Sequence, residues 1–358
     1  MSDIDINLVS VRKTFGDFHA VNDISLAIPK GEFLSLLGPS GCGKTTTLNM
    51  IAGFQEPTAG QIQIRGKNQV GVPPERRNIG LVFQNYALFP HMTVAQNVGF
   101  GLKMKGVTRM ETDQAVQAAL RSVHLEGLEN RYPKELSGGQ QQRTALARAI
   151  APKPSVLLLD EPLSNLDQKL REAMRVELKE IQEKLGMTFV YVTHDQEEAM
   201  AMSDRVVVMA KGVIAQEGRP EEIYNNPSTS FVADFIGKSN ILPIMRNELG
   251  SDRTRVSING GKLSLKVPDG HSDAKFCCIR PEDVRMVDDA NSALVEENVL
   301  DGTIVKIVNL GAHLDVWTVV DGDLTLKSQV RSVQAGSIRA GKRVSLSVSP
   351  AAIKLLKQ

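Results

Sequence analysis

From the N-terminus to about Phe235, short apolar runs alternate with longer stretches in which apolar residues recur every three or four positions. The short runs predict buried strands and the longer stretches predict helices. Such an alternation is typical of a mostly parallel sheet with helices on both faces. The predicted strands of this α/β sheet are Phe33–Leu37, Ile79–Phe83, Val156–Asp160, Phe189–Thr193 and Arg205–Met209.

Further patterns complete this first region. Ile6–Val11 and Ile24–Ile28 predict two strands of a small antiparallel layer beside the main sheet. Thr112–Leu125 and Gly139–Ile150 have helical periodicity, and no strand-like run interrupts them, so an inserted helical subdomain is predicted at about residues 85–152. Residues 168–185 predict an amphipathic helix with a core-facing stripe. The stripe consists of Leu170, Met174, Leu178, Ile181 and Leu185.

Past Gly237 the pattern changes to short alternating runs separated by Gly, Asp and Pro. Such a pattern predicts an all-β domain, a small barrel or sandwich. We therefore predict two domains, residues 1–237 and 238–358, with the boundary near Gly237–Pro243. The predicted strands of the second domain are Lys262–Val267, Thr303–Val308, Leu314–Val319, Leu324–Lys327 and Val344–Val348, the last with the clearest inward face.

Composition narrows the class of protein. The 358 residues are 42% hydrophobic and 23% charged, which describes a globular chain long enough for two domains. The formal net charge of +1 provides no global field for nucleic acid, so no nucleic-acid partner is expected. The sequence has neither a long apolar run nor a signal-peptide pattern, so a cytoplasmic location is expected. Cys42, Cys277 and Cys278 have no zinc-ligand spacing and are expected to stay reduced.

The residues that follow the run Phe33–Leu37 fit the phosphate-binding pattern G-x-x-x-x-G-K-[ST] at every fixed position. Backbone N–H groups at such a turn, with the positive end of the following helix, bind phosphate oxygens. Lys44 adds a positive charge for the β- and γ-phosphates, and the Thr45 hydroxyl is placed to ligate Mg²⁺. The chain is therefore predicted to bind ATP or GTP. The predicted nucleotide-binding residues here are Gly38, Pro39, Ser40, Gly41, Cys42, Gly43, Lys44, Thr45 and Thr46.

A second chemical feature is the pair of carboxylates that ends the apolar run Val156–Asp160. Asp160 is predicted to hold the Mg²⁺ shell through water, and Glu161 to orient and polarise the water that attacks the γ-phosphate. A strand that ends in Asp-Glu is also common at solvent-facing loops. The phosphate-binding loop upstream is what favours the functional interpretation.

A third feature is the pentapeptide Leu136-Ser137-Gly138-Gly139-Gln140, which precedes a predicted helix. A serine hydroxyl and glycine N–H groups at a helix N-terminus form an anion site. Between a phosphate loop and an acidic strand, this pentapeptide resembles the signature sequence of ABC-type ATPases. The resemblance implies an α/β P-loop NTPase with an inserted helical subdomain, and hydrolysis of ATP. It also implies a head-to-tail homodimer in which Ser137, Gly138, Gly139 and Gln140 close over the γ-phosphate bound to the second copy.

Other residues match the same family. Gln84 resembles the glutamine that joins the catalytic core to the helical subdomain and reaches both Mg²⁺ and the attacking water. Asp167 resembles the aspartate that crosses the dimer interface and positions the opposite site. His194 resembles the switch histidine that touches the γ-phosphate and holds Glu161 and the water in line. With Lys44, these assignments make Glu161, His194 and Gln84 the predicted catalytic residues.

Phe15 is the least specific of these matches. It lies where the family places an aromatic residue that stacks on adenine, so it is predicted to contact the nucleotide. Packing within the small antiparallel layer is the alternative.

An ABC ATPase must pass its motion to another protein, and two classes compete. One class powers a transporter by docking onto two integral membrane permease subunits at the cytoplasmic face of the inner membrane. The other is soluble and acts in translation or DNA repair, usually with two motif sets, coiled-coil insertions or basic extensions, which this sequence lacks. A ligand sensor without turnover conflicts with the presence of Glu161. The sequence favours the transporter class.

The C-terminal half resembles the transport-associated OB-like extension of importer ATPases. These ATPases serve a periplasmic or extracellular substrate-binding protein through the permease. Ile279–Val284 and Ile304–Gly311 are the matching motifs. In such importers the residues after Gln84 receive a permease helix. Exposed Tyr86, Leu88, Phe89 and Met92 would suit that contact, and packing inside the subdomain is the alternative, above all for Leu88.

The sequence gives the least information about the transported compound. Phe231–Gly237, Ser239-Asn240 and the Leu310-Gly311 pair resemble polyamine importers, which predicts spermidine or putrescine uptake. Ferric iron, aminoethylphosphonate, opines and sugars are the alternatives. A regulatory site on the C-terminal domain is a further hypothesis, with a solvated strand face as its alternative. The residues considered for it are Arg280, Glu282, His313 and Trp317.

Overall fold

The structure, a computed structural model, describes residues 3–250, 253–268, 273–287 and 297–357. The chain forms two compact units, Met1–Glu221 and Glu222–Gln358. The predicted domain boundary after Gly237 stays a prediction. None of the helices in the described ranges has the length and apolar character needed to cross a bilayer.

The first unit alternates strands and helices. Its strands are β1 (Ile4–Phe15), β2 (Phe18–Pro29), β3 (Phe33–Leu37), β4 (Ala59–Ile64), β5 (Lys67–Asn68), β6 (Ile79–Val82), β7 (Val156–Asp160), β8 (Thr188–Thr193), β9 (Arg205–Ala210) and β10 (Val213–Gly218). Its helices are α1 (Lys44–Ala52), α2 (Val94–Met104), α3 (Arg109–Ser122), α4 (Gly138–Ile150), α5 (Gln168–Leu185) and α6 (Gln196–Met202). The helix α7 (Pro220–Asn225) spans the division between the units.

The main sheet has six strands in the order β10-β9-β3-β8-β7-β6. All of its pairs are parallel except β9 with β10. Every residue of β3 and β8 is buried, because these central strands are covered on both faces. The predicted strands of the sheet are therefore confirmed, with β6 ending one residue earlier than expected, at Val82.

Alternate residues of the central strands enter two separate cores. Phe33, Leu157 and Tyr191 pack with the helices of the inserted subdomain and with α5. Leu34 and Leu158 pack on the other face with α1 and with the antiparallel sheet. This alternation follows from the twofold repeat of a strand. It divides the unit into three layers, with the main sheet in the middle.

The antiparallel layer is a four-stranded sheet in the order β2-β1-β4-β5, as predicted for its first two strands. The helical insertion is formed by α2, α3 and α4, and no strand interrupts the described residues between β6 and β7. The helix α5 has the predicted bounds, and Met174, Leu178 and Ile181 of its stripe are buried. Leu185 is 37% exposed, so its predicted core packing is wrong. The helix ends there, at the left-handed Gly186, and its last turn leaves the core.

The second unit begins within α7 and continues with α8 (Ser230–Phe235) and short strands. The strands are β11 (Asn240–Pro243), β12 (Arg246–Gly250), β13 (Arg253–Ile258), β14 (Leu263–Lys266), β15 (Phe276–Ile279), β16 (Arg285–Val287), β17 (Asn298–Asn309), β18 (His313–Val320), β19 (Leu324–Arg331), β20 (Arg343–Val348) and β21 (Lys354–Leu356). They form sheets in the orders β11-β15-β21, β12-β13-β14 and β16-β20-β17-β18-β19. The edge strands of the five-stranded sheet approach each other, which gives a half-barrel. The predicted all-β class is confirmed.

One core joins these sheets. Leu346 and Val348 of β20 point into it as predicted, but Ser347 between them is buried as well and bonds to Glu297. The adjacent thiols of Cys277 and Cys278 are buried and enter different clusters on opposite faces of β15. Burial raises the pKa of Cys277 to about 12, so this thiol stays protonated.

Candidate functional site

The candidate site lies where four neighbouring strands of the main sheet end. The phosphate-binding loop follows β3, Asp160 ends β7, His194 follows β8, and Gln84 lies two residues beyond β6. The carboxyl ends of parallel strands share one edge of a sheet, and ligands of α/β proteins bind at that edge. The fold therefore brings together side chains that are up to 156 positions apart, from Gly38 to His194.

The loop from Gly38 to Thr45 is already shaped around its lysine. Lys44 is buried, and its Nζ donates to the carbonyl oxygens of Gly38 at 2.7 Å and of Pro39 at 3.0 Å. These bonds hold the ammonium inside the turn. The arrangement places a fixed positive charge at the N-terminus of α1.

Two glycines of this loop are required by space. A Cβ on Gly38 would lie 2.4 Å from the carbonyl oxygen of Met209 and 2.6 Å from Cys42 Sγ. Gly43 has φ 106° and caps α1, and a Cβ there would lie 2.5 Å from the carbonyl oxygen of Ala20. No other residue fits these two positions without moving backbone. The Cys42 thiol is packed in the same place, and burial raises its pKa.

Thr45 and Asp160 meet across the edge of the sheet. The Thr45 hydroxyl donates to Asp160 Oδ1 at 3.2 Å. Burial raises the pKa of Asp160, and the bond from Thr45 opposes that shift. A hydroxyl and a carboxylate are the oxygen donors that Mg²⁺ prefers, and Mg²⁺ usually takes only one or two carboxylates beside substrate phosphates and water. The residues therefore fit the predicted ion.

Glu161 is the centre of a small side-chain cluster. Its Oε2 accepts a bond from Gln84 Nε2 at 3.4 Å and lies 3.1 Å from His194 Nδ1. Its backbone has φ 43°, a left-handed conformation that costs a non-glycine residue about 1–2 kcal/mol. A bond from the Glu161 amide to the carbonyl oxygen of Val192 at 3.0 Å fixes that conformation. Strain of this kind, held by its surroundings, is found at functional sites.

The predicted signature residues form a helix start of their own. Ser137 caps α4 with a capping box, in which the Gln140 amide donates to Ser137 Oγ at 3.3 Å and the Ser137 amide donates to Gln140 Oε1 at 2.9 Å. A Cβ on Gly139 would lie 3.2 Å from the Leu170 side chain, so α4 packs closely on α5. The described hydrogen bonds of Ser137 and Gln140 stay within this region. They join neither residue to the chain's own phosphate-binding loop.

Two other predicted residues have described contacts outside the Glu161 cluster. Asp167 caps α5, and its Oδ1 accepts from the Leu170 amide at 3.0 Å. Phe15 lies at the end of β1 and is 48% exposed, with Lys13 Nζ 5.0 Å from the ring centre. An exposed ring beside a cation is open to a stacking ligand, and the role of Phe15 stays a prediction.

Sequence reasoning missed the groups that surround His194. Glu198 is 3% exposed, and its Oε2 accepts from Tyr191 OH at 2.7 Å and from Thr193 Oγ1 at 2.6 Å. Arg171 and Arg175 of α5 pair with Asp195 on the same segment. The available signal was the spacing of the arginines, which are four positions apart on α5, beside the acidic run that follows His194.

The predicted surface after Gln84 needs correction. Tyr86 is only 5% exposed and packs in the core of the helical subdomain, so its predicted exposure is wrong. Its backbone has φ 62° and its carbonyl oxygen accepts from Arg148, which turns the ring inward. Leu88, Phe89 and Met92 are partly buried, and Leu88 packs against the same core.

The regulatory site considered at Arg280, Glu282, His313 and Trp317 stays a hypothesis, although the donors of Arg280 already have partners within the protein. Arg280 is buried, and its guanidinium donates to carbonyl oxygens of Tyr224, Ala233, Ile236 and Lys238 and to Ser239 Oγ. The group also lies 4.2 Å from the centre of the Tyr224 ring. Glu282 bonds to the hydroxyl of Tyr224. These partners use the donors of Arg280 to hold α7 and α8 on the C-terminal sheet.

Family models and curated relatives match both halves of the chain. A family model described as ABC transporter matches residues 21–164, and a model of the TOBE domain matches residues 277–356. The spermidine/putrescine import ATP-binding protein PotA of Rubrobacter xylanophilus is 46% identical over 349 residues, which cover 96% of this chain and 91% of the relative. The chain belongs to the ATP-binding subunits of ABC transporters. The protein of the same name from Acidothermus cellulolyticus is 54% identical over 285 residues, 79% of this chain and 74% of the relative.

Solved structures agree with this membership in the ABC family. A dimeric structure of a post-hydrolysis state of an ATP-binding cassette, bound to ADP and Pi, has a TM-score of 0.54 at 34% identity. It covers 60% of this chain and 98% of that one. The cbiO1 protein of Clostridium perfringens, part of an ABC transporter complex, has a TM-score of 0.57 at 31% identity and covers 62% and 90%. The predicted ABC fold and the predicted ATPase class are confirmed, and the roles of individual residues stay predictions.

Proposed function

We propose that this ABC subunit hydrolyses ATP to drive import of polyamines, spermidine or putrescine, through separate permease subunits. The observation that carries the hydrolytic part is the cluster at the edge of the sheet, where Glu161 Oε2 lies 3.1 Å from His194 Nδ1. The bond from Thr45 in α1 to Asp160 at the end of β7 lies at the same edge of the sheet. The cargo is proposed from the printed names of relatives 44–54% identical to this chain.

The chain's own groups divide the reaction between them. Backbone N–H groups from Gly38 to Thr46 bind the phosphates, and Lys44 neutralises the charge that develops on the γ-phosphate. Glu161 accepts a hydrogen bond from the attacking water and orients it. His194 and Gln84 both bond to Glu161 Oε2 and so fix the carboxylate, which holds the water in line with the phosphate. When bound between Thr45, Asp160 and Gln84, Mg²⁺ would supply charge stabilisation to the phosphate oxygens.

A second copy of the chain completes the site in this proposal. Ser137 to Gln140 present a helix N-terminus and hydroxyl, yet their described bonds stay near α4 rather than at the chain's own loop. A helix N-terminus binds phosphate, so this surface suits the nucleotide of a partner copy. Asp167 belongs to the same proposed interface. The dimeric state of the related cassette supports the arrangement.

The permease partner has a candidate docking surface. An open groove of about 880 Å³ lies between the end of α2, α3 and the segment after α4. Apolar residues such as Leu102, Val107, Ile150 and Leu185 line it. An amphipathic helix buries its apolar face in such a groove. We propose that a cytoplasmic helix of each of the two permease subunits binds here and holds the ATPase at the inner face of the cell membrane, with the substrate-binding protein on the other side.

The docking proposal has a direct test on α5. Leu185→Glu places a charge in the groove at a residue that is already 37% exposed, so folding is expected to persist. Val176→Glu changes a residue of the same helix that is 61% exposed and lies outside the groove. We expect Leu185→Glu to lose co-purification with the permease while Val176→Glu retains it. Equal recovery of both variants would remove the groove from the proposal.

Hydrolysis is tested by Glu161→Gln. The amide oxygen still accepts a hydrogen bond but lacks the charge and basicity of the carboxylate. ATP should therefore still bind while steady-state hydrolysis falls at least about tenfold, with a dimer trapped around two ATP molecules. The readouts are nucleotide affinity, phosphate release and sedimentation. Hydrolysis that stays within a few-fold of wild type would refute the role of Glu161.

The cargo is tested by uptake of labelled compounds in cells that lack the gene. Wild-type protein should restore uptake of spermidine or putrescine, and Glu161→Gln should not. Ferric iron, aminoethylphosphonate, an opine and maltose serve as competing cargoes in the same cells. Restoration of one of these instead would replace the polyamine proposal. Restoration of none of them would refute the polyamine proposal and indicate that the transporter carries another compound.

A further inference from the structure

His194 follows the last residue of β8, and its side chain is 59% exposed. The described partner of its ring is Glu161. An exposed imidazole is not held by packing, so its position depends on the backbone at Thr193 and Asp195. The groups that fix these two neighbours therefore determine whether His194 faces Glu161.

On the strand side, a buried carboxylate fixes the turn. Glu198 Oε2 accepts from Tyr191 OH at 2.7 Å and from Thr193 Oγ1 at 2.6 Å, and Thr193 Oγ1 accepts from the Asp195 amide at 2.9 Å. Burial raises the pKa of Tyr191 well above its ordinary value, so the phenol remains a donor. These bonds tie the segment around His194 to β8.

On the helix side, α5 supplies two arginines. One terminal N–H group of the Arg175 guanidinium, at Nη2, donates to Asp195 Oδ2 at 3.2 Å. The second terminal nitrogen, Nη1, donates to Glu197 Oε2 at 3.0 Å. Arg171 lies 3.6 Å from the same Asp195 oxygen. The side chain of Arg175 is only 11% exposed, so its bond to Asp195 is screened less than a surface ion pair. Asp195 Oδ1 also accepts from the Glu198 amide at 3.1 Å and caps α6.

The same helix is connected to the rest of the cluster at its start. The loop before α5 bonds to the Glu161 carbonyl through Ser164 Oγ at 2.9 Å and to the Gln84 carbonyl through Asn165 Nδ2 at 2.9 Å. Asp167 then caps the helix. A rigid helix thus contacts the segments of Gln84 and Glu161 at one end and the segment of His194 one to two turns later.

We propose that Arg175 is a positioning residue for hydrolysis, assisted by Arg171. It fixes Asp195 so that His194 stays within hydrogen-bond distance of Glu161, and it makes the His194 segment follow any movement of α5. This inference rests on the proposed function, in which Asp167 serves the partner's nucleotide and His194 the chain's own. Arg175 then links the state of one nucleotide site to the geometry of the other.

The test compares full-length Arg175→Ala with Arg205→Ala. Arg205 forms an ion pair of similar burial with Glu32 at 2.9 Å, at the amino end of β9, away from the site. For Arg175→Ala we expect kcat to fall about tenfold with KM for ATP within about twofold, because positioning is lost but binding is not. Arg205→Ala should retain kcat. The unfolding midpoints of both variants are measured in parallel.

Two more variants separate positioning from general stability. Asp195→Asn keeps the size of the side chain but loses the charge, so it should lower kcat as Arg175→Ala does, and the double variant should be no worse than either single one. Arg175→Lys restores a charge and should recover a large part of kcat. A wild-type kcat for Arg175→Ala, a loss matched by Arg205→Ala, or multiplicative losses in the double variant would overturn the inference. Normal hydrolysis by Glu161→Gln would instead refute the proposed function, whatever Arg175 does.

Discussion

The edge of the main sheet and the Arg280 cluster of the C-terminal unit use polar residues in opposite ways. At the sheet edge, Gln84 and His194 both bond to Glu161, and the side chains keep part of their surface open to solvent. In the C-terminal unit, Arg280 is buried and gives its donors to backbone carbonyls and to Ser239. At the sheet edge, exposed donors and acceptors remain for a ligand. In the C-terminal unit, the donors of Arg280 are used to stabilise the fold.

Whether the hydrogen-bonding groups of a motif residue are already used within the protein distinguishes a reactive residue from a structural one better than its residue type does. The sequence singled out both groups because their residues lie in motifs that resemble those of the family. A buried group must find its partners within the protein, and once it has found them it has little left to offer a ligand. The comparison therefore predicts that changes in the Arg280 cluster alter stability, and that changes at the sheet edge alter chemistry.

The largest effect on stability is expected for Arg280→Ala. Its removal takes a donor away from the carbonyl oxygens of Tyr224, Ile236 and Lys238, at a cost of about 3 kcal/mol or more. The single tryptophan, Trp317, lies in this unit, so its fluorescence in a urea titration reports the loss. Arg285→Ala, which removes a side chain that is 70% exposed, should change stability by less than about 0.5 kcal/mol. Loss of ATP affinity with unchanged stability would reverse the comparison.

A large effect on binding is expected for Gly38→Ala. The added Cβ would lie 2.4 Å from the Met209 carbonyl oxygen, so the phosphate-binding backbone must move, and ATP affinity should fall at least about tenfold, or 1.4 kcal/mol. Gly336→Ala is the control, because a Cβ there meets no atom within 4 Å and the backbone of Gly336 is not in the left-handed region. It should keep wild-type affinity in the same nucleotide titration. Equal affinities of the two variants would mean that the loop tolerates the displacement.

The sequence predicted the sheet well because buried parallel strands are continuous apolar runs. The runs of β3 and β7 have the predicted bounds, and α5 follows its stripe from Gln168. The stripe failed at Leu185, because periodicity continues to the end of a helix whereas the covering core does not. Tyr86 failed for a related reason. Its direction is set by a left-handed backbone, which no pattern of apolar residues reports.

The site was predictable in its residues but not in its connections. Phosphate-loop spacing and an acidic strand end identify Lys44 and Glu161, because strand topology brings strand ends together. The ion pair of Arg175 with Asp195 joins α5 to a residue 20 positions away. The side chain of Arg175 is only 11% exposed, and a periodic pattern does not show which arginine on the polar face of a helix is buried in this way. Arg280 shows the same limit from the other side. The sequence identified the motif that contains Arg280, but it did not predict the carbonyl oxygens to which Arg280 donates.

Ser137 is the residue that tests the comparison most sharply, because its hydroxyl is already used in a capping box. If it also serves the partner's nucleotide, Ser137→Ala should lower hydrolysis about tenfold and destabilise the first unit by about 1 kcal/mol. Thr108 caps α3 with the same kind of box, so Thr108→Ala should cost similar stability without loss of hydrolysis. Phosphate release and thermal unfolding are measured for both. Parallel losses of activity would make Ser137 a cap and nothing more.

The smallest effect is expected when carboxylates of the two regions are neutralised. Burial raises the pKa of Asp160 in the folded chain, so its ionisation at pH 7 costs stability. Burial also acts on Asp315, but hydrogen bonds from Lys238 and Lys327 outweigh it and lower the pKa of that carboxyl. Asp160→Asn should therefore stabilise the nucleotide-free first unit at pH 7, and Asp315→Asn should destabilise the C-terminal unit.

The pH dependence separates the two carboxylates. The advantage of Asp160→Asn should vanish as pH falls through the raised pKa of Asp160 toward the unfolded value of about 3.9, because both states then bind the proton. The stability contributed by Asp315 is present above about pH 3.9 and is lost as pH falls through its lowered pKa. Calorimetry between pH 7 and pH 4 measures the first unit, and Trp317 fluorescence measures the second. If Asp160→Asn instead destabilises its unit at pH 7, ionised Asp160 does not lower the free energy of unfolding. The energetic contrast between the sheet edge and the Arg280 cluster is then refuted.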